Sequence, residues 1–98
     1  GGFTPLHIAA MHGSPELTQI LLAAGANTSA LASDHWTPLH AAAFAGKLQN
    51  IQVLLNGGAD AKAKTSDGGF TPWDYLKLIH KNLDGDAVYL ALKDANNK

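Results

Sequence analysis

The sequence predicts an all-α repeat fold made of three helix–turn–helix units. Three observations carry that reading: self-similarity at a fixed period, helix start and stop signals at matching places in each period, and apolar residues at helical spacing between them. Thr4-Pro5-Leu6-His7 returns as Thr37-Pro38-Leu39-His40, an offset of 33 residues. Gly13 returns as Gly46, Leu21-Leu22 as Leu54-Leu55, and Gly25-Ala26 as Gly58-Ala59. Residues 4–30 set against 37–63 give 13 identities in 27. A third start, Thr71-Pro72-Trp73-Asp74, follows at an offset of 34, with one extra residue near Gly68. The units are expected at about 1–33, 34–66 and 67–98, together one small domain of 98 residues.

Each unit opens with Thr before Pro. Proline suits the first position of a helix, and the Thr hydroxyl can accept the orphan amides of the first turn. A short apolar helix is expected over Leu6-His7-Ile8-Ala9-Ala10-Met11 and over Leu39-His40-Ala41-Ala42-Ala43-Phe44. Its alanines let a neighbouring helix come close. Gly13 and Gly46 are expected to end it by turning left-handed. A second helix then starts, signalled in the first unit by Ser14-Pro15-Glu16. Leu17, Ile20 and Leu21, and Leu48, Ile51, Leu54 and Leu55 in the second unit, fall at helical spacing. Gly25 and Gly57-Gly58 end these helices, and a polar reach of about ten residues leads to the next unit, enough for a protruding turn.

With these residues the chain resembles the ankyrin repeat family over nearly its whole length. The markers are Thr-Pro-Leu-His twice, the alanines after it, Gly13 and Gly46, and Leu-Leu-x-x-Gly-Ala at 21–26 and 54–59. The resemblance implies an α-solenoid of three ankyrin-type repeats with projecting β-turn or hairpin fingers and a concave face. It implies that the imidazoles of His7 and His40 bond the Thr hydroxyl and nearby backbone, locking finger to helix. It also implies a non-catalytic protein–protein interaction module, a scaffold that takes a protein or peptide partner on the concave face.

The third unit departs from the pattern. Trp73 and Asp74 replace Leu and His, and His80 replaces the mid-unit glycine. Residues 81–86 read as a lengthened loop, Asp84 as a helix cap, and the last helix as roughly Gly85 to Lys93 before a fraying polar end. A C-terminal capping repeat is expected to look like this. The first unit reads as an interior one, with Leu6, Ile8, Leu17, Ile20 and Leu21 and no polar substitution. Further repeats, or a homodimer, are expected through its N-terminal edge. The chain opens at Gly1 without a Met, which reads as a piece of a longer protein. His35 stands where the finger pattern has Gly, so that turn is expected to be distorted.

Composition excludes several functions. Seven Lys and eight Asp plus Glu give a net charge of −1, so neither nucleic acid nor an anionic membrane is an expected partner. No apolar run approaches ~18 residues. No Cys is present, which excludes disulfides, thiolate catalysis and Cys-ligated zinc, and suits the cytosol. His12, His35 and His80 lie in different units with no helical partner, so they read as surface residues and no metal or cofactor is expected. No nucleophile arrangement appears, the Ser residues sitting in turns and caps, so no enzyme is expected.

The candidate binding feature is an apolar strip. Phe3, Trp36 and Phe70 precede the three Thr-Pro pairs, and Met11, Phe44 and Leu78 follow within each first helix. His12, Asp34, His35, Asp67 and Lys77 are expected to flank them. Aromatic residues and Met dominate binding hot spots, though such side chains also pack finger against finger. Two other roles remain open: a structural spacer or cap of a longer array, and a regulatory appendage of an enzyme in the parent protein.

Overall fold

Three threonines set the frame. Thr4, Thr37 and Thr71 hold extended backbone, and each hydroxyl accepts the amide of the third helical residue, His7, His40 or Asp74, at 3.4, 3.2 and 3.2 Å. The side chain of that residue reaches back to the Thr amide, closing a capping box at all three starts. The structure, a computed structural model, describes residues 2–83 and 85–97. Among these residues lie six α-helices and no strand: α1 (Pro5–His12), α2 (Pro15–Ala23), α3 (Pro38–Ala45), α4 (Leu48–Asn56), α5 (Pro72–Ile79) and α6 (Ala87–Asn96). Single 3₁₀-type turns occupy Ser33–His35 and Lys81–Leu83.

The helices pair in order and stack in two layers. α1, α3 and α5 pack side by side in one layer, and α2, α4 and α6 in the other. The core runs through both layers as Leu6, Leu39, Ile51, Leu54, Leu76 and Leu92, all 0–1% exposed. The central helix α3 is buried from Pro38 to Ala43. Its three consecutive alanines are what make this possible, since only a small side chain fits where helices press from two sides.

The two mid-pair glycines end their helices differently. Gly46 adopts φ 71°, and its amide bonds the Ala42 and Ala43 carbonyls, a left-handed closure. Gly13 does not follow the expected left-handed turn: its backbone is extended at φ −85°. Glycine is needed there for space, because a Cβ would lie 2.9 Å from the Ala9 carbonyl oxygen.

The last helix also differs from expectation. It starts at Ala87, with the Asp86 carboxylate accepting the Val88 amide at 2.7 Å, and it stays helical through Asn96. Asp84, expected as the cap, lies outside the described residues.

Candidate partner-binding face

The imidazoles that close the first two capping boxes also tie each pair to the connection that follows. Nδ1 of His7 faces the Thr4 amide at 3.2 Å and must therefore accept, so Nε2 carries the proton and donates to the Trp36 carbonyl at 2.7 Å. His40 repeats this with Thr37 at 3.1 Å and the Phe70 carbonyl at 2.9 Å. Those carbonyls also accept the amides of Ala32 and Thr65, which shapes both connections as turns without strand pairing among the described residues. Burial holds the His40 imidazole below its ordinary pKa of 6.5, against the opposing pull of the Phe70 and Ala63 backbone and of the Asp67 and Asp74 carboxylates. Asp74 keeps the third capping box at 2.9 Å but, as an acceptor, supplies no such onward arm.

Fixing Trp36 and Phe70 by their carbonyls lines up their rings. Phe3 stacks on Trp36 at 5.9 Å between centroids, Trp36 meets Phe44 edge-on at 5.4 Å, and Phe70 lies 5.6 Å from Tyr75. Tyr75 is the hub that sequence reasoning missed. It also touches Trp36, His40 and Phe44, and its hydroxyl accepts the Trp36 indole N–H at 3.1 Å. It occupies the position of Ala41 and Ile8 in the other pairs, where the pattern gave no reason to expect a ring. The resulting wall is partly exposed. Phe3 and Phe44 keep 50% and 46% of their surface in solvent, whereas Trp36 is half-buried.

The other candidate residues are placed as follows. Asp34 and His35 are exposed in the turn before Trp36, and the Asp34 carbonyl accepts the Ser66 amide at 2.9 Å, joining the two connections. Both residues take left-handed backbone, φ 60° and 61°, so the distortion expected at His35 appears as strain in this turn. Met11 packs against the core, and Leu78 is exposed. His12 is exposed beside Ile8 and Leu17 on the outer edge of the first pair. Lys77 lies over Trp73 at 5.9 Å and 3.8 Å from Asp74, and Trp73 packs edge-on against Tyr89, so Lys77 belongs to the last pair's own packing. His80, expected as a surface residue, is half-buried: its Nε2–H donates to the Phe44 carbonyl at 2.7 Å, and its ring covers Gly46.

A buried amide completes the ties between pairs. Asn50 on α4 donates to the carbonyls of Ala9, Ala10 and Gly13, at 3.3, 3.2 and 3.1 Å, and accepts the Thr18 hydroxyl at 2.8 Å. Among the described residues no cluster of three His, Asp or Glu could hold a metal ion, and no helix is long and apolar enough to cross a membrane.

A family model for ankyrin repeats, in three copies, matches residues 1–65. The chain belongs to the ankyrin-repeat family. No curated protein matches it. The matched stretch holds both Thr-Pro-Leu-His signatures of this ankyrin-repeat chain, and the divergent α5–α6 pair falls after it. Ankyrin repeats are in general protein–protein interaction modules, which makes the aromatic wall the part of this one to weigh as a binding surface.

Proposed function

We propose that this chain is a non-catalytic binding module that takes a protein or peptide segment on the wall formed by Phe3, Trp36, Phe44, Phe70 and Tyr75. The observation that supports the reading is the partial exposure of a continuous run of rings. A set of rings serving packing alone would be buried, as Trp73 and Tyr89 are. Asp34 and His35 stand beside the wall and supply polar contacts at its rim. In this reading the three helix pairs, at about 1–33, 34–66 and 67–98, form one domain whose last pair closes the stack. The stacked helices hold the wall in place before a partner arrives, so affinity comes from preorganisation.

Peptide ligands selected from a random display library against the intact chain test the proposal. Trp36→Ala with Phe44→Ala is expected to weaken the selected ligands by ~2 kcal/mol or more, the scale of a hot spot, with far-ultraviolet circular dichroism unchanged. Phe44→Ala alone, at the more exposed ring, separates binding from packing, because its cost in stability is smaller. Ligands that bind both variants as well as the parent, or rings whose loss simply unfolds the chain, would favour the spacer role.

A further inference from the structure

The polar atoms among the rings of the wall are unevenly spent. The carbonyls of Trp36, Phe44 and Phe70 are each met by an imidazole N–H, from His7, His80 and His40 respectively. The Trp36 and Phe70 oxygens also take the amides of Ala32 and Thr65, which fills both lone pairs of each. The Trp36 indole N–H, the single donor of that ring, is spent on the Tyr75 hydroxyl at 3.1 Å. Having accepted that bond, the hydroxyl still has its own proton to give, and Tyr75 makes no other side-chain hydrogen bond among the described residues. From Trp36 to Phe70 the wall thus offers one unspent donor and no unpaired carbonyl.

An ordinary peptide fits such a surface poorly. Each of its residues brings one N–H with each C=O, and an N–H pressed onto rings loses its water with nothing in return. Proline brings the C=O without the N–H. A segment in the polyproline II form also turns its remaining amides to water and is held in shape before it binds. The relief of the wall agrees. Phe44 and Tyr75 stand at 61° and 60° to Trp36, so the rings make a ridged surface of the kind that receives the three-residue turn of such a segment.

Building on the reading of this wall as the binding surface, we infer that its occupant is a proline-containing segment in the polyproline II form, with the Tyr75 hydroxyl donating to a main-chain carbonyl of that segment. A carboxylate fits less well, because none of the five ring residues carries a positive charge to meet it. A helical segment fits less well too: its carbonyls are bonded internally, which would leave the Tyr75 proton unmet.

The test starts from peptides selected on the intact chain out of a random display library. Those that Phe44→Ala weakens by about tenfold or more are the wall ligands. Among them a proline is expected at one recurring position. Replacing that proline with alanine restores an N–H and is expected to weaken binding about tenfold, whereas N-methylalanine, which also lacks the N–H, should stay within about threefold of the parent peptide. Tyr75→Phe keeps the ring and is expected to weaken the same ligands about fivefold, with far-ultraviolet circular dichroism unchanged. Replacing the bonded carbonyl of the peptide with a thiocarbonyl, a weaker acceptor, should add little to that loss. Wall ligands without a recurring proline, equal losses for alanine and N-methylalanine, or binding indifferent to Tyr75→Phe would overturn the inference and leave the wall standing. A library that yields no ligand sensitive to Phe44→Ala would remove the wall as a binding surface, and the inference with it.

Discussion

The two junctions between helix pairs carry similar helices but are closed by different polar clamps. At the first, Gly13 is extended, so α1 ends with the carbonyls of Ala9, Ala10 and Gly13 turned toward the next pair, and Asn50 meets all three with one buried amide. At the second, left-handed Gly46 bonds two carbonyls of its own helix, and the Phe44 carbonyl is met by a single N–H from His80. The backbone angle of one glycine thus decides how many donors the neighbouring pair must supply. A repeat can keep its apolar register and still vary its polar chemistry from one junction to the next.

The largest expected effect breaks the first junction alone. Asn50→Asp keeps the shape but turns a donor into an acceptor facing three carbonyls. It is expected to cost about 3 kcal/mol or more, since a buried polar group left opposed loses its bonds and gains repulsion. Urea unfolding measures the cost, and amide exchange should show α1–α2 opening before α5–α6. If α5–α6 opens first, the clamp is not what holds the first pair.

Acid is expected to probe the second junction. Nδ1 of His40 accepts from Thr37 and Nε2 donates to Phe70, so a second proton would set N–H against N–H. The folded pKa lies below 6.5 because of burial. As pH falls through 6.5 the unfolded chain takes up the proton first. Stability present above 6.5 is therefore lost progressively on the way down to the depressed folded value. Denaturant midpoints between pH 7.5 and 5 check this, and a His40→Gln chain should show a shallower fall. The Asn50 clamp does not titrate. A smaller cost, about 1 kcal/mol, is expected of His80→Ala, because its bond to Phe44 lies near solvent and water can replace it. In that background a methyl at Gly46 would no longer meet the imidazole 2.8 Å away, so the two substitutions should be less than additive.

Much of the fold was legible in the sequence because it rests on local chemistry. Thr-Pro fixed three helix starts, and the period placed Trp36 and Phe70 before two of them. The clamps were not legible, because their logic is long-range. Asn50 reads as one more polar residue on a helix until the extended Gly13 is seen opposite. The only sequence signal was its register with Leu17, a polar residue at an otherwise apolar position. Tyr75 was missed for the opposite reason: its counterpart Ala41 marks a tight contact, and a ring there requires the extra room beside Trp36 and Phe44. The sequence reading caps the last helix with Asp84, whereas the carboxylate that accepts an amide of its first turn is that of Asp86, two residues on, and local chemistry does not tell the two acids apart.

The smallest expected effect compares the two connections and has the opposite sign. Both turn before an aromatic residue, but the second uses Gly69 at φ 70°, whereas the first holds Asp34 and His35 at φ 60° and 61°. A side chain in left-handed backbone costs about 1 kcal/mol, part of which a glycine returns through the greater freedom of the unfolded chain. His35→Gly is therefore expected to stabilise the fold by about 0.5 kcal/mol, read as a rise of a few degrees in the melting midpoint. If the midpoint falls instead, the imidazole has an intramolecular role in the turn. If it rises while ligands selected on the aromatic wall bind less tightly, strain is being tolerated at the rim of the wall for the sake of the side chain it displays.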